Sequence, residues 1–263
     1  MTAEARQLRV AAAQIAIGDS IAANLAAIRK AMQHCAERGA ALAVFPETAL
    51  TGYSPAIGHG RPPSDWPEVR AALESLQTEA QRLGLGLVVG SEAWDGACWV
   101  NRLYAYSAQG EELARYDKVH LTRPDTAYYR AGWVNPVFDF QGVRIGLQIC
   151  YDARFPEGYR DLLSQGAEVI AQGFYGAGGP TWKAPVLGAH LRSRAAENGC
   201  FVVAANVSGP LQIVVSQIVD PLGLVLAQAN QDCAEIIVAD LRLERLGESE
   251  VREDYLAKYC PSA

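Results

Sequence analysis

The sequence predicts a single α/β domain of mixed sheet order, and three observations carry that reading. Apolar, β-branched runs of strand length alternate with stretches whose apolar residues fall every three or four positions, the signature of strands and amphipathic helices in succession. The middle of the chain holds several extended runs with no helix between them, which a purely parallel sheet does not allow. No linker, low-complexity stretch or charge block divides the 263 residues.

Taken in order, residues 8–17 form a buried strand that Gly18 and Asp19 break. Ser20 then caps a helix whose apolar stripe is Ile21, Leu25, Ile28, Met32 and Cys35, closed by Gly39. Residues 40–45 are a second strand. Residues 68–83 repeat the helical stripe through Val69, Leu73, Leu76, Ala80 and Leu83 and stop at Gly84, and residues 85–89 are the third strand. Residues 99–106, 112–120, 137–140 and 143–150 are extended runs separated by turn pairs such as Gln109-Gly110 and Gln141-Gly142. A helix over 157–164, a strand over 169–172, a long helix over 182–198 and strands over 201–205, 213–219 and 236–239 complete the set. Residues 173–180 read as a glycine-rich loop. The polar tail, 241–263, is helix-compatible, and such a tail either frays or packs onto a partner.

Half the residues are hydrophobic and a fifth are charged, which describes a packed protein and not a disordered chain. Lys plus Arg number 23 against 29 for Asp plus Glu, a net charge of -6. That balance offers no cationic footprint to a phosphate backbone or an anionic bilayer, so neither nucleic acid nor membrane is expected as a partner. No apolar run approaches the roughly 18 residues needed to cross a bilayer, and the first ten residues lack the basic and apolar regions of a signal peptide. Six cysteines without a C-x-x-C pair read as free thiols in a reducing compartment, hence a cytoplasmic location.

Three reactive side chains stand at or just past the end of an apolar extended run, where open α/β sheets present ligand-binding groups. They are Glu47, Lys118 and Cys150, and only folding can bring them together. Taken singly, each has an ordinary explanation: a packed thiol, a capping carboxylate and a surface ion pair with Asp117. Cys150 has the strongest local argument, because residues 150–157 leave a strand abruptly for a helix, a turn that exposes a nucleophile and aims backbone N–H groups at it. A thiol with an ordinary pKa of ~8.5 is mostly protonated at neutral pH, so it needs a base or a cation beside it. The four histidines, His34, His59, His120 and His190, show no metal-ligand spacing. In a regular strand His120 would share a face with Lys118, which makes it an alternative partner for Cys150. Residues 173–179 lack the ending of a phosphate loop. Tyr53, Phe174, Tyr175 and Trp182 are the aromatics expected to line a substrate site.

Three segments, FPETALTGY at 45–53, YDKVHL at 116–121 and GLQICYDARFPE at 146–157, occur in this order, and further similarity runs through 192–198, 202–206 and 220–223. Together they resemble the nitrilase superfamily of carbon-nitrogen hydrolases. The resemblance implies a four-layer αββα sandwich forming one domain over 1–263, in which Glu47, Lys118 and Cys150 converge. It makes Cys150 the nucleophile, Glu47 the general base and acid, and Lys118 the cation that stabilises an oxyanion together with the backbone N–H of Tyr151. It implies no metal or organic cofactor. It also implies a homodimer or larger homo-oligomer built through the helices near 157–164 and 182–198, with the 241–263 tail at the subunit interface. The expected reaction is hydrolysis of a small non-peptide amide to the carboxylate and ammonia or an amine through a cysteine thioester. The Cys150-Tyr151-Asp152 sequence is more like the amidase and carbamoylase branches than the nitrile-cleaving one. An N-carbamoyl hydrolase, a nitrilase and a non-catalytic scaffold of the same fold are the alternatives. The family places a second glutamate between its lysine and its cysteine. This chain has no Glu between Lys118 and Cys150, and Asp125 falls in that place. Being one methylene shorter, it is expected to need a backbone shift or a bridging water to make the same contacts.

Overall fold

The computed structural model describes residues 6–57, 64–180 and 182–260. The chain lays down β1 (Gln7–Gln14), α1 (Ile21–Glu37), β2 (Leu42–Val44), α2 (Ser54–Ile57) and α3 (Trp66–Leu83). A run of strands follows: β3 (Gly86–Trp94), β4 (Trp99–Tyr106), β5 (Glu112–Asp117), β6 (Val137–Phe140) and β7 (Val143–Ile149). Then come α4 (Pro156–Ser164), β8 (Val169–Gly173), α5 (Lys183–Asn198), β9 (Phe201–Ala205), β10 (Gln217–Val219), β11 (Val225–Gln228), β12 (Glu235–Arg242) and α6 (Glu250–Tyr259).

These strands make two six-stranded sheets, ordered β12-β1-β2-β3-β4-β5 and β11-β10-β9-β8-β7-β6. Each has a parallel centre, β1-β2-β3 in one and β7-β8-β9 in the other, with antiparallel strands outside it. The layering follows from side-chain alternation along the central strands, both faces of which are apolar. One face of each sheet, carrying Val10, Val44 and Val88 on the first and Ile145, Leu147 and Val203 on the second, joins a common core between the sheets. The opposite face of the first sheet, with Ala43, Phe45 and Val89, packs on Ile28 and Met32 of α1 and Leu73 and Leu76 of α3. The opposite face of the second, with Ile170 and Val202, packs on Leu162 of α4 and Leu187 and Leu191 of α5. The result is the four-layer αββα sandwich. Each fully buried Leu or Ile in these layers contributes roughly 1.5–3 kcal/mol of transfer free energy.

The local signals operate as read. The Ser20 hydroxyl accepts from the Ala23 N–H, and Gly84 closes α3 at φ 61°. Several boundaries differ. β5 ends at Asp117 and does not run on to His120, and β10 begins at Gln217 because residues 213–216 leave the ladder, where the Ile213 N–H bonds Gly176 O. The short β11 edge strand, exposed at three of its four residues, has no alternation to announce it. The described part of the tail, through Cys260, packs on its own chain. Arg252 of α6 is buried and donates to the Ala167 and Gly199 carbonyls of its own chain, and a Cβ on Gly199 (φ 53°) would strike Ser249 and Arg252. All six cysteines are free, and no helix among the described residues is long and apolar enough to cross a membrane. His59 lies outside the described residues.

Candidate active site

Glu47 follows β2, Lys118 follows β5 and Cys150 follows β7, so two of the three groups come from one sheet and the third from the facing sheet. Close approach of the sheets depends on glycine. A Cβ on Gly173, the last residue of β8, would stand 2.8 Å from the Glu47 nitrogen, and one on Gly90 of β3 would strike Pro46 O and Thr48 N. With both side chains absent, the 45–48 turn sits tightly between β3 and β8 and Glu47 points into the inter-sheet space.

There Lys118 Nζ donates to Glu47 Oε1 at 2.6 Å and to Asp125 Oδ2 at 2.9 Å. Asn101 Nδ2 donates to the same Glu47 oxygen at 2.7 Å, and the Tyr175 N–H donates to Oε2 at 2.8 Å. The Cys150 thiol lies close enough to Glu47 and Lys118 for both charges to act on it. Glu47, Lys118, Asp125 and Asn101 are all at most 1% exposed, whereas Cys150 as a residue is partly exposed. Of the two routes that its shorter side chain left open, Asp125 reaches Lys118 directly, by the backbone route and not through a bridging water. A single helical turn, Asp125–Ala127, carries its backbone inward, held by Thr122 N–H to Asp125 Oδ2 at 2.8 Å and Asp125 N–H to Thr122 Oγ1 at 3.3 Å. The other Asp125 oxygen accepts from the Tyr53 hydroxyl.

Cys150 adopts φ 43°, a left-handed conformation that costs a non-glycine residue of order 1–3 kcal/mol and that turns the chain from β7 into the helical turn Cys150–Arg154. Asp152 holds this corner. Its buried carboxylate accepts from Ile149 N–H at 3.2 Å just before the corner. It also accepts from the Tyr116 hydroxyl at 2.8 Å and His120 N–H at 2.7 Å, on either side of Lys118. One carboxylate thereby ties the cysteine corner to the lysine segment. His120 is not a partner for the thiol: its Nδ1 faces Asp152 Oδ1 at 2.8 Å and its ring stacks on Phe155 at 3.8 Å. Because β5 ends before it, the shared strand face expected for Lys118 and His120 does not exist.

Burial, and then the negative charge of Glu47, push the Cys150 thiol well above its ordinary pKa, and Lys118 pulls in the other direction. The resting sulfur is therefore a thiol with a carboxylate beside it to take its proton. Burial opposes the Lys118 charge, but Glu47 and the other anionic groups around it outweigh burial and hold it protonated. Such a cluster supports nucleophilic attack, with a base and a fixed cation in place around the sulfur.

Of the expected aromatics, Tyr53 and Tyr175 lie together, ring centroids 4.8 Å apart, with Lys118 Nζ 5.8 Å from the Tyr53 ring. Trp182 is 53% exposed and lies against the Arg154 guanidinium, which also lies over Tyr151. Phe174 is not a lining residue: it is 1% exposed and packs with Leu187 and Leu191 of α5, on the helix side of the sheet. The sequence reading also missed Asn101 and Asp152. A polar amide within the mostly apolar strand Trp99–Tyr106, where Arg102 is the one charged residue, was the available signal for Asn101.

The family model described as carbon-nitrogen hydrolase matches residues 9–250. The chain is 34% identical over 217 residues to a 2-oxoglutaramate amidase of Bacillus subtilis, covering 80% of each chain. It is 31% identical over 252 residues to a deaminated glutathione amidase of Escherichia coli O157:H7, covering 90% of this chain and 91% of that one. Among solved structures, a mutant amidase from Nesterenkonia sp. AN1 in complex with butyramide superimposes with a TM-score of 0.80 at 27% identity, covering 94% and 95% of the two chains.

Proposed function

Since the chain belongs to the carbon-nitrogen hydrolase family, we propose that it hydrolyses a small non-peptide amide to the carboxylate and ammonia through a thioester on Cys150. The observation that carries this reading is the buried Glu47–Lys118–Asp125 chain set beside a cysteine that is itself only partly buried as a residue. Glu47 takes the thiol proton as sulfur attacks the amide carbonyl. The resulting oxyanion is met by the Lys118 ammonium and the Tyr151 N–H. Glu47 returns the proton to the amide nitrogen, the C–N bond breaks, ammonia departs and the acyl group remains on sulfur. Water then attacks the thioester, Glu47 accepts its proton, the C–S bond breaks and the thiol is restored with release of the carboxylic acid. Asp125 holds Lys118 between two carboxylates so that its charge stays fixed.

Incubation with a panel of short amides, an acid quench and intact-mass measurement should reveal an acyl adduct that Cys150→Ala lacks, with ammonia released and no carbon dioxide. Absence of any adduct in the wild type, with turnover intact, sinks the thioester; carbon dioxide release points to the carbamoyl hydrolase instead.

A second reading narrows the substrate to amides that also carry a carboxylate, the character of the substrates in the names of the two relatives above. Arg154 favours it. This cation stands four residues after Cys150 between the Tyr151 and Trp182 rings, and among the described residues no carboxylate lies within ion-pair distance of it. Arg154→Ala is expected to raise KM for a carboxylate-bearing amide about 10-fold or more, the worth of one charge-assisted hydrogen bond, and to leave a neutral amide of equal length unaffected. Equal changes for both substrates would remove Arg154 from substrate recognition.

A further inference from the structure

Glu92, near the end of β3, is 2% exposed, and among the described residues the hydrogen bonds its side chain accepts come from hydroxyls and none from a cation. Its Oε1 accepts from the Ser54 hydroxyl and from the Tyr129 hydroxyl at 2.7 Å, and its Oε2 accepts from the Ser64 hydroxyl at 2.7 Å. Its own N–H donates to Thr51 Oγ1 at 2.9 Å. A buried carboxylate is costly to desolvate and is ordinarily retained where its bonds organise something. What these bonds organise is visible from where the donors sit. Ser54 directly follows Tyr53, and the Tyr129 N–H donates to the Asp125 carbonyl at 2.9 Å. Tyr53 and Asp125 are in turn joined by their own side-chain hydrogen bond, and Asp125 holds Lys118. Both ends of the Tyr53–Asp125 bond are thus anchored to one carboxylate on a rigid central strand.

We propose that Glu92 is a positioning residue for amide hydrolysis, stapling the segment that bears Tyr53 to the segment that bears Asp125 so that Lys118 is held in register with Glu47 and Cys150. The proposal rests on the reading of the site given above. It requires the hydrogen-bonding geometry of Glu92 and not its charge. Glutamine preserves that geometry: its carbonyl oxygen accepts from Ser54 and Tyr129, and its NH2 donates to the Ser64 hydroxyl, which accepts as readily as it donates. Leucine fills the same space and makes none of these bonds.

The test compares Glu92→Gln and Glu92→Leu in the full chain by steady-state kinetics on a short amide and by hydrogen exchange. Glu92→Leu is expected to lower kcat/KM by about 10–100-fold, the scale of a misplacement of around 1 Å in a catalytic group. Glu92→Gln is expected to stay within about threefold of the wild type, given the hydrogen bonds it conserves. Amide protection should fall together in residues 51–57 and 125–132 of the leucine variant and stay normal in the glutamine variant. In a double-mutant cycle, Tyr53→Phe should cost far less in the leucine background than in the wild type, because the bond it removes is already loosened. Additive losses, an unchanged kcat/KM in Glu92→Leu, or a glutamine variant as impaired as the leucine one would each overturn the proposal. If the wild type hydrolyses no amide, the reading of the site fails, and the paired loss of protection still decides whether Glu92 is the staple.

Discussion

Glu47→Gln is expected to lower kcat for amide hydrolysis by roughly 10²–10⁴-fold, the range for loss of a positioned general base, while making Cys150 react faster with iodoacetamide at neutral pH. The opposite signs are the informative part. Next to burial, the negative charge of Glu47 is the largest influence raising the thiol, and Lys118 acts to lower it. Removing the carboxylate charge and keeping the lysine leaves more thiolate at any given pH, so alkylation of the sulfur speeds up. Amide hydrolysis nonetheless collapses, because glutamine neither accepts the thiol proton nor delivers one to the departing nitrogen. A side chain of the same length keeps an acceptor for Lys118 and Asn101, so the fold is expected to survive. Parallel losses of alkylation and hydrolysis would mean that Glu47 only shapes the site.

Lys118→Met is expected to remove turnover and to destabilise the protein by about 3–5 kcal/mol, the scale for stripping one partner from a buried ion pair. Lys118 is the cation shared by Glu47 and Asp125, and the side chains of all three are at most 1% exposed. Without it two carboxylates face each other in the interior. For a chain of this size the loss corresponds to a fall in Tm of roughly 6–20 °C in a calorimetric scan. The double variant Lys118→Met/Asp125→Asn removes one of the two stranded charges and is expected to recover part of that Tm and none of the activity. Stability and catalysis are thereby separated in one experiment. A single variant whose Tm stays within about 2 °C of the wild type would show that the interior tolerates the stranded charges, through water or rearrangement, and that Lys118 is not the electrostatic keystone described here.

Much of this was legible in the chain because it is locally encoded. Apolar periodicity and capping residues such as Ser20 and Gly84 are properties of a few neighbouring residues, and they located the main helices and strands. The three motif segments, read in order, named the family, the sandwich, and Glu47, Lys118 and Cys150 as the residues to watch. The exposed β11 and the inward packing of α6 had no comparable signal, since one is an edge strand without a buried face and the other is held through the long reach of Arg252.

What the tertiary structure alone decided is which groups touch. Sequence placed Asp125 near the site and left open a backbone shift or a water bridge; the single turn that carries it to Lys118, held by Thr122, decided between them. It offered His120 to the thiol, and the fold gave that ring to Asp152 and Phe155. It put Phe174 beside the substrate, and the ring went to α5. Asn101, Asp152 and Glu92 were invisible in their roles because a hydrogen bond across 54, 36 or 38 positions leaves no trace in local pattern. Periodicity reports which face of an element is buried; only the packing of the two sheets determines what each buried polar group meets there.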